Sequence, residues 1–430
     1  MSKIMKVNAE RLWQMLMEMA KIGVTNKGGN TRLALTDEDI LGRALLIEWA
    51  NQINLSVHYD EVGNLILHRS GQNQTALPIV MGSHLDTQPK GGRFDGVYGV
   101  LAGMEVLQCL VEQDIVTHHP LELVVWMNEE GARFTPAMMG SAAFVGVLSK
   151  QRVYDATDKD GISVYSELFR TGQLGDFPLA RPFQAYYEAH IEQGPVLERN
   201  RISIGVVTGS QAILWLGVET KGTAAHAGTT PMYMRKDTMA GIAEMIFTIE
   251  RYILEQYSDG LVTFGKVEVA NPSHNTIPSQ IQWTIDLRHP DDEILKLMDV
   301  EIRTIIERLS RKRGLEVNIS QHWFSPSIHF DTNCIATVQD AVNCLGYSNQ
   351  LIVSGAGHDA INISKHCPAT MIFIPCIDGL SHNEAENINL QDAAQGANVL
   401  LNAILNYDVK YSSKMIQESL ESNISYIDNT

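Results

Sequence analysis

From residue 211 to residue 326 the apolar pattern of this chain runs strand, helix, strand, strand, helix, strand, and that order confines the segment to a compact sheet with two helices on one face. Strand patterns fall at 212–220, 261–270, 280–288 and 315–323, and helical spacing at 236–257 and 291–313. On either side a different rhythm holds. Apolar runs of strand length at 64–68, 78–82, 121–127 and 201–207 alternate with helical stretches at 37–54, 98–112 and 135–148, the mark of a mostly parallel α/β sheet. The rhythm resumes after residue 326 with a helix at 333–345, a strand at 371–375 and a helix at 390–405. The expected architecture is α/β. A domain of residues 1–210 and 327–412 carries a mostly parallel mixed sheet, an α+β ferredoxin-like unit is inserted at 211–326, and residues 413–430 form a C-terminal tail. Thr36 is placed to cap the helix that begins at Asp37, with Asp39 completing an imperfect capping box.

Two domains also suit the length, since 430 residues exceed what one core usually supports. A formal net charge of -17 argues against nucleic acid, whose phosphates need clustered Lys and Arg. It leaves room for a small anionic ligand, because one or two arginines can bind a carboxylate whatever the global balance. The N-terminal stretch is interrupted by charges too often for a signal peptide and reads as an amphipathic helix. No apolar run is long enough to span a membrane. Five scattered cysteines without a CxxC pair suit reduced thiols in a cytoplasm better than a disulfide framework.

Candidate chemistry gathers just beyond the strands, where ligands bind in open α/β sheets. His84 and Asp86 follow the strand at 78–82, and Asp95 lies a few residues on among glycines. Taken singly, His84 is as readily a packing residue and Asp95 a turn residue. Asp86 has the spacing to orient the imidazole of a metal-bound histidine. Asn128, Glu129 and Glu130 follow the strand at 121–127, a spacing that allows one carboxylate to bind metal while its neighbour moves a proton. His190 and His382 supply the remaining imidazoles. Together His84, Asp95, Glu130, His190 and His382 form a mixed nitrogen and oxygen set suited to zinc, manganese, cobalt or nickel. Charge counting favours two ions, balanced by Asp95, Glu130 and a bridging hydroxide, with Asp86 or Glu129 nearby. No G-x-S-x-G elbow competes with this set.

As a group, the motifs GSHLDT (82–87), GGRFDGVYGVLAG (91–103), NEEGARF (128–134), HIEQGPVLE (190–198), HAGTTPM (226–232), SGAGHDA (354–360) and IPCIDGLSHNEAE (374–386) resemble the hydantoinase/carbamoylase family of the di-metal aminoacylase and carboxypeptidase superfamily. The resemblance runs from about residue 35 to about residue 405. It implies hydrolysis of N-carbamoyl-L-amino acids to amino acid, ammonia and carbon dioxide by a water held between two ions, zinc foremost. It gives one ion His84, His190 and Asp95, and the other Glu130, His382 and the same Asp95. Glu129 is then the general base and Asp86 orients His84. Substrate contacts fall on Gln193, His226, Asn275 and Arg288. Apart from the resemblance, the run Gly355-Ala356-Gly357 either presents backbone donors to the substrate carboxylate or simply permits a tight turn. The same resemblance makes the insertion a lid and dimerisation domain and the protein a homodimer, with His226 and Asn275 reaching across the interface. Allantoate amidohydrolase and β-ureidopropionase activities are the alternatives within the family. A binder that has lost catalysis is the alternative outside it, and Glu129 speaks against that. His358, beside Asp359, is not assigned as a ligand.

Overall fold

The computed structural model describes residues 4–427, with side chains through residue 411. The chain divides into two compact units, Met1–Gly209 with Phe330–Thr430, and Ser210–His329. The insertion expected at 211–326 lies within the second.

The sheet of the first unit runs Ser56–Tyr59, Leu65–Arg69, Leu121–Trp126, Ile79–His84, Ala185–Ile191, Ala369–Ile374 and Ile204–Ser210. Its four central strands, from Leu121–Trp126 to Ala369–Ile374, are mutually parallel, and their outer neighbours pair antiparallel. Every residue of those four strands is buried. Helices cover both faces of such a sheet, so its strands are apolar throughout rather than alternating. Parallel strands also end on one edge, and this sets up the site. The register pairs Met81 with Tyr187, so three residues on, His84 comes level with His190; His84 itself pairs with Trp126.

Helix Val97–Glu112 lies against these strands and is buried on nearly every side. A Cβ on Gly99 would come within 2.2 Å of the Ala189 carbonyl oxygen, so this glycine lets the helix approach the sheet. Its one buried acid, Glu105, accepts bonds from Arg11 Nε and Nη2 and from the Asn8 N–H. Those contacts fasten the amphipathic helix Ala9–Met19, whose N-cap is Asn8. Thr36 does cap Asp37–Gln52, but Asp39 returns its carboxylate to the Leu35 N–H instead of closing the box on Thr36.

Three expectations need correction. The helix predicted at 135–148 shrinks to Met139–Phe144, because Met138, Met139 and Gly140 donate their N–H groups to the carbonyls of Glu129, Asn128 and Met127. Pro136 has no N–H to give. Residues 413–427, expected as an irregular tail, continue helix Leu390–Ile427, and residues 428–430 lie outside the described residues. Buried Asp408 anchors that helix by accepting the N–H groups of His118 and His119 and bonding His119 Nδ1 at 2.8 Å. The strand expected at 261–270 is two short strands, Leu261–Thr263 and Val267–Val269, both pairing with Gln280–His289. Thr263 lies opposite Asp286 and Val267 opposite Trp283, so four steps face three and the extra residue forms a bulge near Gly265.

The second unit orders its sheet Val267–Val269, Gln280–His289, Ala212–Lys221, Glu316–Ser325, all antiparallel. Helices Thr238–Gln256 and Asp292–Arg313 share one core with the inward residues of that sheet, including Leu214, Leu216, Trp283, Ile285 and Leu287. No helix among the described residues is long and apolar enough to cross a membrane.

Candidate metal centre

His84 closes the strand Ile79–His84, and its Nδ1 is 2.8 Å from the backbone carbonyl of Asp86, which turns Nε2 toward the carboxylates. The Asp86 carboxylate is 3.9 Å from the ring and is employed elsewhere, accepting the N–H groups of Glu129 and Glu130 at 3.2 Å each. Asp86 thus holds His84 through its main chain and the second cluster through its side chain. His190 is the penultimate residue of the neighbouring strand Ala185–Ile191, with Nδ1 on the Ile191 carbonyl at 2.9 Å. Both imidazoles therefore present Nε2 to Asp95, at 3.8 Å for His84 and 3.3 Å for His190, and both face its Oδ1.

The other oxygen of Asp95 faces a different group. His382 Nε2 lies 3.4 Å from Asp95 Oδ2 and 3.4 Å from Glu130 Oε2. Of the three sets among the described residues that can hold a cation, two share Asp95, His84–Asp95–His190 and Asp95–Glu130–His382, and the third is Glu188–His190–His358; the potential ligand atoms of each lie within 4.8 Å of one another. Gly96 makes the approach possible. Its φ of +67° is in the left-handed region, and a Cβ there would strike the His84 ring at 2.3 Å. Asn128, Gln193 and His382 at this rim also adopt positive φ.

The electrostatics fit a cation. Burial, then the Asp39 charge, pushes Asp86 up to about 7; burial, Asp95 and Asp86 push Glu130 to about 9. Glu129 is raised well above the ordinary glutamate value by burial and then by Asp359, Glu130, Asp86 and Asp95. Its Oε2 stands 3.6 Å from His84 Nε2. Burial lowers His84 to about 4, leaving a neutral ring able to donate a lone pair. For Asp95 burial works upward, but His190, His84 and His382 outweigh it and hold the carboxylate ionised. Three crowded acids driven toward protonation, beside the neutral His84 ring, are what cations would relieve.

Several residues unassigned from sequence complete the centre. Gln88 donates to both Glu130 oxygens, at 3.2 Å from its backbone and 2.7 Å from its side chain. Ser381 Oγ bonds Asp95 Oδ2 and Glu386 Oε2, while Glu386 Oε1 accepts the N–H groups of Phe94 and Asp95. Glu386 falls inside a motif already singled out, so its position was visible though its role was not. Glu188, two residues before His190 on the same strand face, is buried and satisfied by Ser83, Tyr186 and the Ala360 N–H. His358 packs with its ring centroid 4.5 Å from that of His190, and its Nε2 has no hydrogen-bond partner among the described residues. Gly357 lies just before it in the loop that leads to helix Asp359–Ile363, beside the side chain of Met138.

Of the substrate candidates, Gln193 sits at the centre itself and donates to Asp95 Oδ2 at 2.8 Å. His226, Asn275 and Arg288 belong to the second unit. His226 pairs with Thr276 across a two-stranded ladder, and the Asn275 carbonyl accepts the Ala227 N–H, so these two are neighbours. His226 Nδ1 accepts the N–H groups of Gly228 and Thr229, which leaves the ring proton on Nε2. Arg288 is elsewhere. It lies eight residues along the strand from Gln280, roughly 27 Å at the usual rise, whereas Thr276 precedes that strand.

A shared carboxylate between two imidazole sets, at the carboxyl edge of a parallel sheet, defines the class. The sequence pattern of Peptidase family M20/M25/M40 matches residues 80–406, and the chain belongs to that family. It is 43% identical over 401 residues to an N-carbamoyl-L-amino-acid amidohydrolase of Rhizobium meliloti, covering 93% of this chain and 96% of that protein. An allantoate amidohydrolase of Bacillus subtilis is 32% identical over 89% of this chain and 93% of its own length. The crystal structure of a hydantoinase/carbamoylase family amidase from Burkholderia multivorans superposes with a TM-score of 0.91 at 45% identity, covering 94% of this chain and 98% of that one.

Proposed function

We propose that this protein is a hydrolase of linear amide bonds that removes the carbamoyl group from N-carbamoyl-L-amino acids, releasing the amino acid, ammonia and carbon dioxide. The observation that carries this is Asp95, whose two oxygens face two histidine sets beside the buried acid Glu129. His84 and His190 would hold one divalent ion and Glu130 and His382 the other, with Asp95 between them; zinc suits the donors best, and manganese, cobalt and nickel are compatible. Ions seated there supply a Lewis acid for the carbamoyl oxygen and a water acidified toward neutrality.

The chain's own groups do the rest. Glu129, whose burial makes its carboxylate a stronger base, accepts a proton from the attacking water and returns it to the leaving nitrogen. The Nε2–H of His226 is the donor for the oxygen that gains charge, and the Arg288 fork suits the substrate carboxylate. Gln193 Oε1, which lacks a hydrogen-bond partner among the described residues, accepts from a substrate N–H. Gly357 lines the carboxylate end.

An N-carbamoyl amino acid is far shorter than the strand that separates His226 and Asn275 from Arg288, so one copy of the second unit does not bring all three onto one substrate. A homodimer in which His226 and Asn275 serve the partner's site resolves this, and it makes the second unit a dimerisation domain as well as a lid. Replacing Glu129→Gln is expected to preserve ion content and lower kcat by about 100-fold or more; near-normal kcat would refute the base assignment. The 32% relative favours allantoate as the second substrate to test. Ammonia release from N-carbamoyl-L-amino acids, allantoate and N-carbamoyl-β-alanine compares the readings directly.

A further inference from the structure

On a β-strand residues two apart share a face, and Gln280–His289 alternates accordingly: Ile285 and Leu287 enter the core, while Asp286 and Arg288 stand on the other face, partly exposed. Their side chains meet. Arg288 Nε lies 3.0 Å from Asp286 Oδ1 and 3.2 Å from Oδ2, and Nη2 lies 2.8 Å from Oδ2. Asp286 therefore grips one lateral edge of the guanidinium.

Stability does not explain the pair. Both side chains are about a quarter exposed, and ion pairs so placed contribute little to folding. Opposite Asp286 stand Trp215 and Thr263, neither of them a cation that would require an acid there. What the contact does accomplish is orientational. A long side chain with many rotamers is held in one plane before any ligand arrives, so less freedom is lost when a carboxylate docks.

We propose that Asp286 is a positioning residue that presents the Arg288 fork to the substrate carboxylate; this rests on the reading of Arg288 as the carboxylate ligand. In that role Asp286 would act on binding and leave the chemical step alone.

The test is steady-state kinetics on the full-length protein with an N-carbamoyl amino acid and with the same compound carrying a carboxamide in place of its carboxylate. Asp286→Asn is expected to raise KM for the acid about fivefold, the order of one net hydrogen bond, with kcat within about twofold. KM for the carboxamide should not move, and Asp286→Glu should recover part of the loss. In an Arg288→Gln background the Asp286→Asn change should add nothing further. The proposal is overturned if Arg288→Gln raises KM for the acid and Asp286→Asn does not, or if Asp286→Asn weakens acid and carboxamide alike. If Arg288→Gln itself leaves KM for the acid unchanged, the carboxylate reading fails and the positioning role falls with it.

Discussion

The two regions that carry candidate residues are built in opposite ways. In the first unit, His84 and His190 are buried at the ends of adjacent parallel strands, and register alone brings them level. In the second, His226 and Asn275 sit on an exposed two-stranded ladder, with Arg288 toward the far end of a long strand. A sheet edge can pre-assemble a rigid ligand set, whereas residues spread over one small unit need a second copy or a movement to converge. On the proposed reading, ion binding would belong to the first construction and substrate selection to the second.

The sharpest way to break that comparison is complementation. Glu129→Gln and His226→Ala should each lower activity by about 100-fold or more. Co-expressed as random dimers, the two should recover about a quarter of wild-type activity, since half the dimers are mixed and one of their two sites is intact. Recovery no greater than either variant alone would place His226 in its own subunit's site.

A smaller effect is expected at Asp86. Its carboxylate holds the Glu129 and Glu130 backbone while its carbonyl holds His84, so Asp86→Ala should keep His84 oriented and lower kcat/KM about 10- to 100-fold. A loss as large as that of Glu129→Gln would indicate a direct catalytic part.

Smaller again is a pH slope in the ion-free protein. Asp86 and Glu130 are raised to about 7 and about 9 from ordinary values of 3.8 and 4.5, so between those limits the folded chain binds more protons than the unfolded one. Stability then falls as pH rises through that window, because the carboxyls lose their protons while still buried and crowded. Thermal melts of chelated protein from pH 5 to pH 8 should show Tm declining, and added zinc should flatten the slope. A Tm that rises with pH in the chelated protein would contradict the crowding described here.

Much of this was legible in the sequence, and the exceptions share a cause. Helix Val97–Glu112 lies within one residue of its expected start, because an unbroken apolar helix pattern admits few alternatives. Strand Ala185–Ile191, which carries His190, was missed. Glu188 and two tyrosines interrupt its apolar run, and their satisfaction by Ser83, Trp126, Thr337 and Ala360 comes from distant segments. The link between Asp86 and His84 was legible as proximity, but its atom was not, since main-chain carbonyls leave no trace in side-chain identity. Glu386 and Ser381 escaped for a similar reason. An acid and a hydroxyl in a loop look solvated until the fold buries them against Asp95.

Ion content per subunit tests the central claim most directly. Wild-type protein purified with zinc should carry about two ions, His84→Ala and His382→Ala about one each, and Asp95→Ala close to none, because Asp95 serves both sets. An Asp95→Ala protein that stays folded and retains two tightly bound ions would contradict a centre organised around a single shared carboxylate.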